Sequence, residues 1–227
     1  MPQKIAAAGF YRTGTTHVYN IVREIHKVSG ISFERIGASG QALIDILDRS
    51  DNNFVIKTHG TFIPPKKEVK VVFCIRDPLD TICSNMRITD KGLAGFGPNF
   101  EKLDFDKISS EINQTFRWAR RYEDRDDALV VKYEDFYGRS VDKARFIAEF
   151  LGFPSVNCER VARRTNIAAA RDVMGTLSIE KGNDADATTQ LRHNHIGRNG
   201  GKPGTYEVNE EFKGRVKNGI DGTPWYR

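Results

Sequence analysis

Apolar positions along the chain follow two alternating rhythms. Short apolar runs fall at residues 4–10, 53–59, 70–75 and 128–133, the most continuous being Val71-Val72-Phe73-Cys74-Ile75. Runs of this length, rich in β-branched residues and bounded by turn formers, read as buried strands. Between them apolar residues recur at helical spacing: Val18, Ile21, Val22, Ile25 and Val28, with Gly30 as a stop, then Ile108, Ile112, Phe116 and Ala119 within a helix over 105–122. Asp77 and Pro78 supply an N-cap and a first-turn residue for a helix to about residue 87. The pattern also predicts a strand over 31–36, a helix over 41–48, an amphipathic helix over 141–151 closed by Gly152 and Pro154, and helix over 158–174. Residues 92–99 read as a glycine-containing loop, and residues 175–204 as a long, polar, glycine-rich surface loop of the kind that closes on a ligand. Strand and helix alternate, which implies parallel strands joined by crossover helices. The fold class is therefore α/β, a three-layer sandwich with a central, mainly parallel sheet and helices on both faces.

At 227 residues the chain has enough length for one well-buried core and is read as one domain over 1–227. No apolar run approaches the roughly 18 residues that span a bilayer. The first residues lack the hydrophobic stretch and cleavage site of a secretory signal. Cys74, Cys83 and Cys158 are odd in number and widely spaced, which favours free thiols and a cytoplasmic location. The net charge of +5 points to an anionic partner. Lys and Arg are scattered among 30 acidic residues without a basic run, so a phosphorylated small molecule fits and nucleic acid does not. Oligomeric state leaves no trace in the sequence.

Three segments carry chemistry. Gly9-Phe10-Tyr11-Arg12-Thr13-Gly14-Thr15-Thr16 joins a strand to a helix, where backbone N–H groups and the helix dipole hold phosphate. It is one residue from a P-loop: Thr15 stands where an ATPase has its lysine, and Arg12 offers a cation three residues earlier. In Lys57-Thr58-His59 the strand period of two sets a cation and a base on one face near a strand's carboxyl end. In Arg76-Asp77-Pro78-Leu79-Asp80 an arginine ends a strand, and Ser84 lies two helical turns on. Taken singly, each segment also has an ordinary reading: a glycine turn, a solvated strand end, or an arginine paired with Asp77 or Asp80.

Together, in order and at strand ends, they resemble the PAPS-dependent sulfotransferase family, where PAPS is 3'-phosphoadenosine 5'-phosphosulfate. Tyr11-Arg12-Thr13-Gly14-Thr15-Thr16-His17 is similar to that family's P-K-S-G-T-T-W, Lys57-Thr58-His59 to its K-T-H, and Arg76 through Ser84 to its R-[ND]-P-x-D and following serine. Val131-Lys132-Tyr133-Glu134-Asp135-Phe136 and Phe150-Leu151-Gly152-Phe153-Pro154 resemble K-Y-E-D-L and F-L-G-x-P. Arg198-Asn199-Gly200-Gly201-Lys202-Pro203-Gly204 resembles R-K-G-x-x-G with one extra residue. The resemblance implies a P-loop-like fold, with the 5'-phosphosulfate cradled by Arg12, Thr13, Gly14, Thr15 and Thr16. It implies the 3'-phosphate between Arg76, Ser84 and Arg198, Asn199 and Gly200, and the adenine near His17 and Tyr133. It also implies His59 as general base, with Lys57 and Arg12 stabilising charge on the leaving side. Arginine at position 12 keeps the charge of the family's lysine and cannot readily donate a proton. PAPS, giving adenosine 3',5'-bisphosphate as product, is the implied cofactor, and the acceptor is a hydroxyl or amine of a small molecule or glycan. No metal is expected, since His193 and His195 lack a third ligand at recognisable spacing. A kinase on the same fold, or a nucleotide-binding protein without catalysis, stays open at this point; the first would call for the missing lysine and a Mg-binding carboxylate.

Overall fold

A computed structural model describes residues 3–37, 40–49, 52–60, 62–65, 68–89, 104–176, 186, 188–191, 196, 200–206 and 208–220. Five strands, β1 (Lys4–Gly9), β2 (Glu34–Gly37), β3 (Phe54–His59), β4 (Val69–Ile75) and β5 (Ala128–Lys132), form a sheet in the order β2-β3-β1-β4-β5. Every pairing is parallel, with Gly9 level with both His59 and Cys74. The helices are α1 (Thr15–Val28), α2 (Gly40–Arg49), α3 (Pro78–Thr89), α4 (Phe105–Glu123), α5 (Ser140–Leu151), α6 (Cys158–Thr165), α7 (Ile167–Gly175) and α8 (Glu210–Gly219).

The central strand explains the layering. All six residues of β1 are buried, and its alanines let helices approach both faces closely. Ala6, Ala8, Phe54, Ile56, Val71 and Phe73 face α2, α3, α4 and α8 through Leu43, Ile82, Ile112, Phe116 and Phe212. Ile5, Ala7, Val55, Val72 and Cys74 face α1, α5 and α6 through Ile21, Ile25, Ile147 and Val161. From β1 the chain builds the sheet one way, and from β4 the other. Their adjacent carboxyl ends therefore frame a crevice, the place where open α/β sheets bind ligands.

Several local expectations shift. The strand expected from residue 31 begins at Glu34, because the Ile31 N–H is still bonded to the His26 carbonyl at the end of α1. The helix expected over 158–174 is two helices. Asn166 is extended (ψ 175) and its side chain accepts from the Ala169 N–H, so it caps α7 while ending α6. Helix α8 was not anticipated; Asn209 caps it and Phe212 and Val216 anchor it, a one-turn apolar spacing that is easily overlooked. Residues 92–99 lie outside the described residues, as does most of 175–204. Within the latter, Leu191 is buried and the Thr189 carbonyl accepts from Asn20 Nδ2 of α1, so this polar stretch is partly fastened to the fold. Among the described residues no helix is long and apolar enough to cross a membrane.

Candidate functional site

The loop after β1 is shaped by close approach. A Cβ on Gly9 would lie 2.7 Å from the Cys74 carbonyl oxygen and 2.8 Å from the hydroxyls of Thr13 and Thr15. The Thr13 hydroxyl donates to the Phe10 carbonyl at 2.9 Å, which folds the turn back on itself. Gly14 takes φ 97 at the head of α1, and a Cβ there would press to 2.8 Å from the Tyr133 ring. The first turn of α1 has no acidic residue, so no carboxylate of that turn offsets its dipole. Thr15 and Thr16, on that turn, are both buried. Arg12 is held at φ 71, a left-handed conformation that costs a non-glycine residue on the order of 1 kcal/mol.

That strain aims Arg12 across the crevice. Its Nε donates to the Ser84 hydroxyl at 3.1 Å, tying the loop to α3. Arg76, at the end of β4, reaches the Arg12 carbonyl from the other side with Nη1 at 3.5 Å. Arg12, expected at the 5'-phosphosulfate, and Arg76 and Ser84, expected at the 3'-phosphate, thus line the same crevice. Arg76 is almost fully buried, and its guanidinium lies 4.3 Å from the centre of the Tyr133 ring. Nη2 faces Asp80 at 3.5 Å and donates to the Gly201 carbonyl at 3.2 Å, while Nε is buried without a partner among the described residues. The Tyr133 hydroxyl donates to the same Gly201 carbonyl at 2.9 Å. Helix α3 is capped as expected, the Asp77 carboxylate accepting from the Asp80 N–H. Burial raises the carboxyl pKa values of Asp77 and Glu134.

At the end of β3, Lys57 and His59 share the face of Val55. His59 Nδ1 lies 3.2 Å from the Gly9 carbonyl, and a carbonyl only accepts, so Nδ1 carries the proton and the lone pair is on Nε2. Tyr11 stacks on the His59 ring with centroids 4.6 Å apart. It is 55% exposed, so it covers the imidazole from the solvent side of the crevice, a contact for which the sequence offered no signal.

His17 bonds to the backbone of Thr165, which sets its ring against α6. Burial, with the charge of Lys143 adding to it, pushes its pKa down to about 3. Lys143 on α5 also went unnoticed in the sequence. Its ammonium sits beneath the Tyr133 ring at 5.4 Å, and burial lowers its pKa to about 8. Arg198 and Asn199 lie outside the described residues, with His193 and His195. Gly200 is buried at φ 64; a Cβ there would approach Arg171 Nη2 to 3.4 Å and the Tyr137 hydroxyl to 3.6 Å. Among the described residues no cluster of three His, Cys, Asp or Glu side chains is arranged to hold a metal ion.

Residues 67–157, which carry Arg76, Ser84 and Tyr133, match the model described as the sulfotransferase family. That segment of the chain is similar to the sulfotransferases. No curated protein matches it in sequence. Among solved structures, this chain is similar to mouse sulfotransferase SULT7A1 complexed with PAP. That match has 16% identity and TM-score 0.65, and covers 98% of this chain and 86% of the other. It is also similar to retinol dehydratase in complex with retinol and PAP, at 17% identity and TM-score 0.64, covering 96% and 80% of the two chains. A third match is retinol dehydratase with androsterone and inactive cofactor PAP, at 17% identity and TM-score 0.67, covering 97% and 81%. At such identities the shared property is the fold: a parallel sheet with helices on both faces.

Proposed function

We propose that this chain is a sulfotransferase that takes its sulfuryl group from PAPS and delivers it to a hydroxyl or amine of a small molecule or glycan. The observation that carries the reading is the convergence of Arg12, Ser84 and Arg76, because a donor phosphorylated at both ends of one nucleoside needs two cationic grips within one crevice. The residues present fit such a donor. Arg76 Nε is a buried donor without an acceptor among the described residues, and Gly14 and Gly201 let the backbone pack directly against Tyr133, where a Cβ would clash. On this reading the 5'-phosphosulfate lies along Arg12, Thr13, Gly14, Thr15 and Thr16. The 3'-phosphate lies by Arg76, Ser84 and the segment of Arg198, Asn199 and Gly200, and the adenine near Tyr133 and His17. PAP is adenosine 3',5'-bisphosphate, the product of such a donor, and its presence in the similar structures supports the assignment.

The donor supplies the sulfuryl group and a stable phosphate leaving group. This chain's residues position the acceptor and manage charge. His59, protonated at Nδ1 by its bond to Gly9, accepts the acceptor's proton at Nε2. Lys57, Arg12 and the first N–H groups of α1 stabilise charge that builds on the leaving oxygen, as in phosphoryl transfer, where positioning and electrostatics supply most of the catalysis. Tyr11 holds the imidazole plane by stacking. The solved complexes with retinol and androsterone, both apolar alcohols, support a hydroxyl acceptor. The whole chain acts as one catalytic domain over which residues 175–204 close, and the three thiols suit the cytoplasm.

Calorimetric titration with adenosine 3',5'-bisphosphate against ADP tests the reading. The bisphosphate should bind the wild type at least ~100-fold more tightly, and Arg76→Ala should abolish most of that preference, the loss of one or two charge-assisted hydrogen bonds. Equal affinity for the two nucleotides, untouched by the substitution, defeats the assignment.

A further inference from the structure

Asp80 lies one helical turn after Arg76, and its carboxylate is 2% exposed. A negative group buried beside a phosphate site is at first sight a defect, since it repels the ligand. Its contacts give it another purpose. Both carboxylate oxygens accept from the backbone N–H of Gly204, at 3.2 and 3.0 Å, and Oδ2 also faces Arg76 Nη2 at 3.5 Å. Three residues upstream in the same loop, the Gly201 carbonyl accepts from Arg76 and from Tyr133. Gly200, Gly201 and Gly204 all have positive φ, so the loop's path depends on residues that tolerate that conformation. One end of the loop is therefore bonded to a fixed carboxylate on α3. The other rests on the guanidinium face that a phosphate would engage.

We propose that Asp80 is a positioning residue for donor binding: it pins Gly204, so that residues 200–204 stay docked over Arg76 and close on the 3'-phosphate. This rests on the donor site assigned above. Arg76 is the exchangeable contact and Asp80 the permanent one. A phosphate oxygen can take the guanidinium hydrogens now shared with Gly201, while the Gly204 anchor persists and keeps the loop within reach.

The sign of one substitution separates the two roles. Were Asp80 only a nearby negative charge, Asp80→Asn would tighten binding of the bisphosphate. As a loop anchor, Asp80→Asn weakens it, because a carboxamide offers one acceptor oxygen where two now grip Gly204. Expected by calorimetry is an affinity loss of about tenfold for adenosine 3',5'-bisphosphate with ADP, which lacks the 3'-phosphate, little changed. By NMR hydrogen exchange, the Gly204 amide should be protected in the nucleotide-free wild type and exchange about tenfold faster in Asp80→Asn. The wild-type measurement stands even if the variant does not fold. Equal or tighter binding of the bisphosphate by Asp80→Asn overturns the proposal, as does weaker binding with Gly204 exchange unchanged, or a Gly204 amide unprotected in the wild type. If the wild type fails to prefer the bisphosphate over ADP, the donor assignment falls, whereas the exchange data still report on the anchor.

Discussion

Replacing Gly201 by alanine tests how closely the loop and Tyr133 are fitted. Gly201 has φ 77, and an alanine there costs about 1 kcal/mol in backbone strain. Its Cβ would also lie 2.5 Å from the Tyr133 hydroxyl oxygen. That hydroxyl is not a mobile tip: the ring is wedged between the Arg76 guanidinium at 4.3 Å and the backbone of Gly14, where even a methyl would not fit. Overpacking of this kind costs about 2 kcal/mol, so Gly201→Ala should undock the loop by about 3 kcal/mol, roughly 100-fold in affinity for adenosine 3',5'-bisphosphate. Tyr133→Phe loses one hydrogen bond, about 1 kcal/mol, and leaves the Gly201 carbonyl still bonded to Arg76. If the two effects were independent, the double variant would lose about 4 kcal/mol. Because the phenylalanine removes the atom that clashes, the double variant should lose only about 2, a coupling of about 2 kcal/mol. Calorimetry on the four proteins measures it. Additive losses, or a harmless Gly201→Ala, would refute the packing argument.

Two further outcomes concern stability. The Tyr122 hydroxyl is buried and accepts the Ile63 N–H at 2.8 Å, so Tyr122→Phe strands that N–H and should cost about 2 kcal/mol, lowering the thermal midpoint by roughly 4–8 °C in a melt followed by circular dichroism. His26 is fully buried, its Nδ1 donating to the Val22 carbonyl and its ring edge-on to Phe33 and Phe153, and burial lowers its pKa below 6.5. The unfolded chain therefore takes up a proton that the folded chain refuses. Stability from this group is complete above pH 6.5 and is lost as pH falls through the folded value. His17, pushed down to about 3, acts in the same direction. Urea titrations from pH 7 to 4 should show falling stability, with a shallower fall in His26→Phe; an unchanged slope would mean that His26 is not buried neutral.

Much of the molecule was legible from local chemistry. Strand and helix are set by short-range periodicity, so the order of elements and the class of sheet followed from Ala6, Val18, Val72 and Ile147 being where they are. Motif spacing singled out Arg12, Lys57, His59, Arg76 and Ser84 as candidates, and the structure sets Lys57 and His59 at the end of β3, Arg76 just past β4, Arg12 in the loop after β1 and Ser84 on α3. The split at Asn166 was harder to see, since a capping side chain competes with a helical pattern that otherwise runs on.

What the linear sequence determined is the set of elements and the inventory of charges near their ends. Only the tertiary structure decided which of those charges meet. Strand order placed β1 beside β4, and that adjacency alone brings Arg12 to Ser84 and Arg76 to the loop, across sequence separations of 72 and 64 residues. Tyr11 over His59, Lys143 under Tyr133 and Asp80 on Gly204 are equally non-local. Each depends on side-chain direction and packing depth, which periodicity does not carry. Side-chain roles are three-dimensional because hydrogen bonds and repulsions act over a few ångströms of space, whatever the distance along the chain.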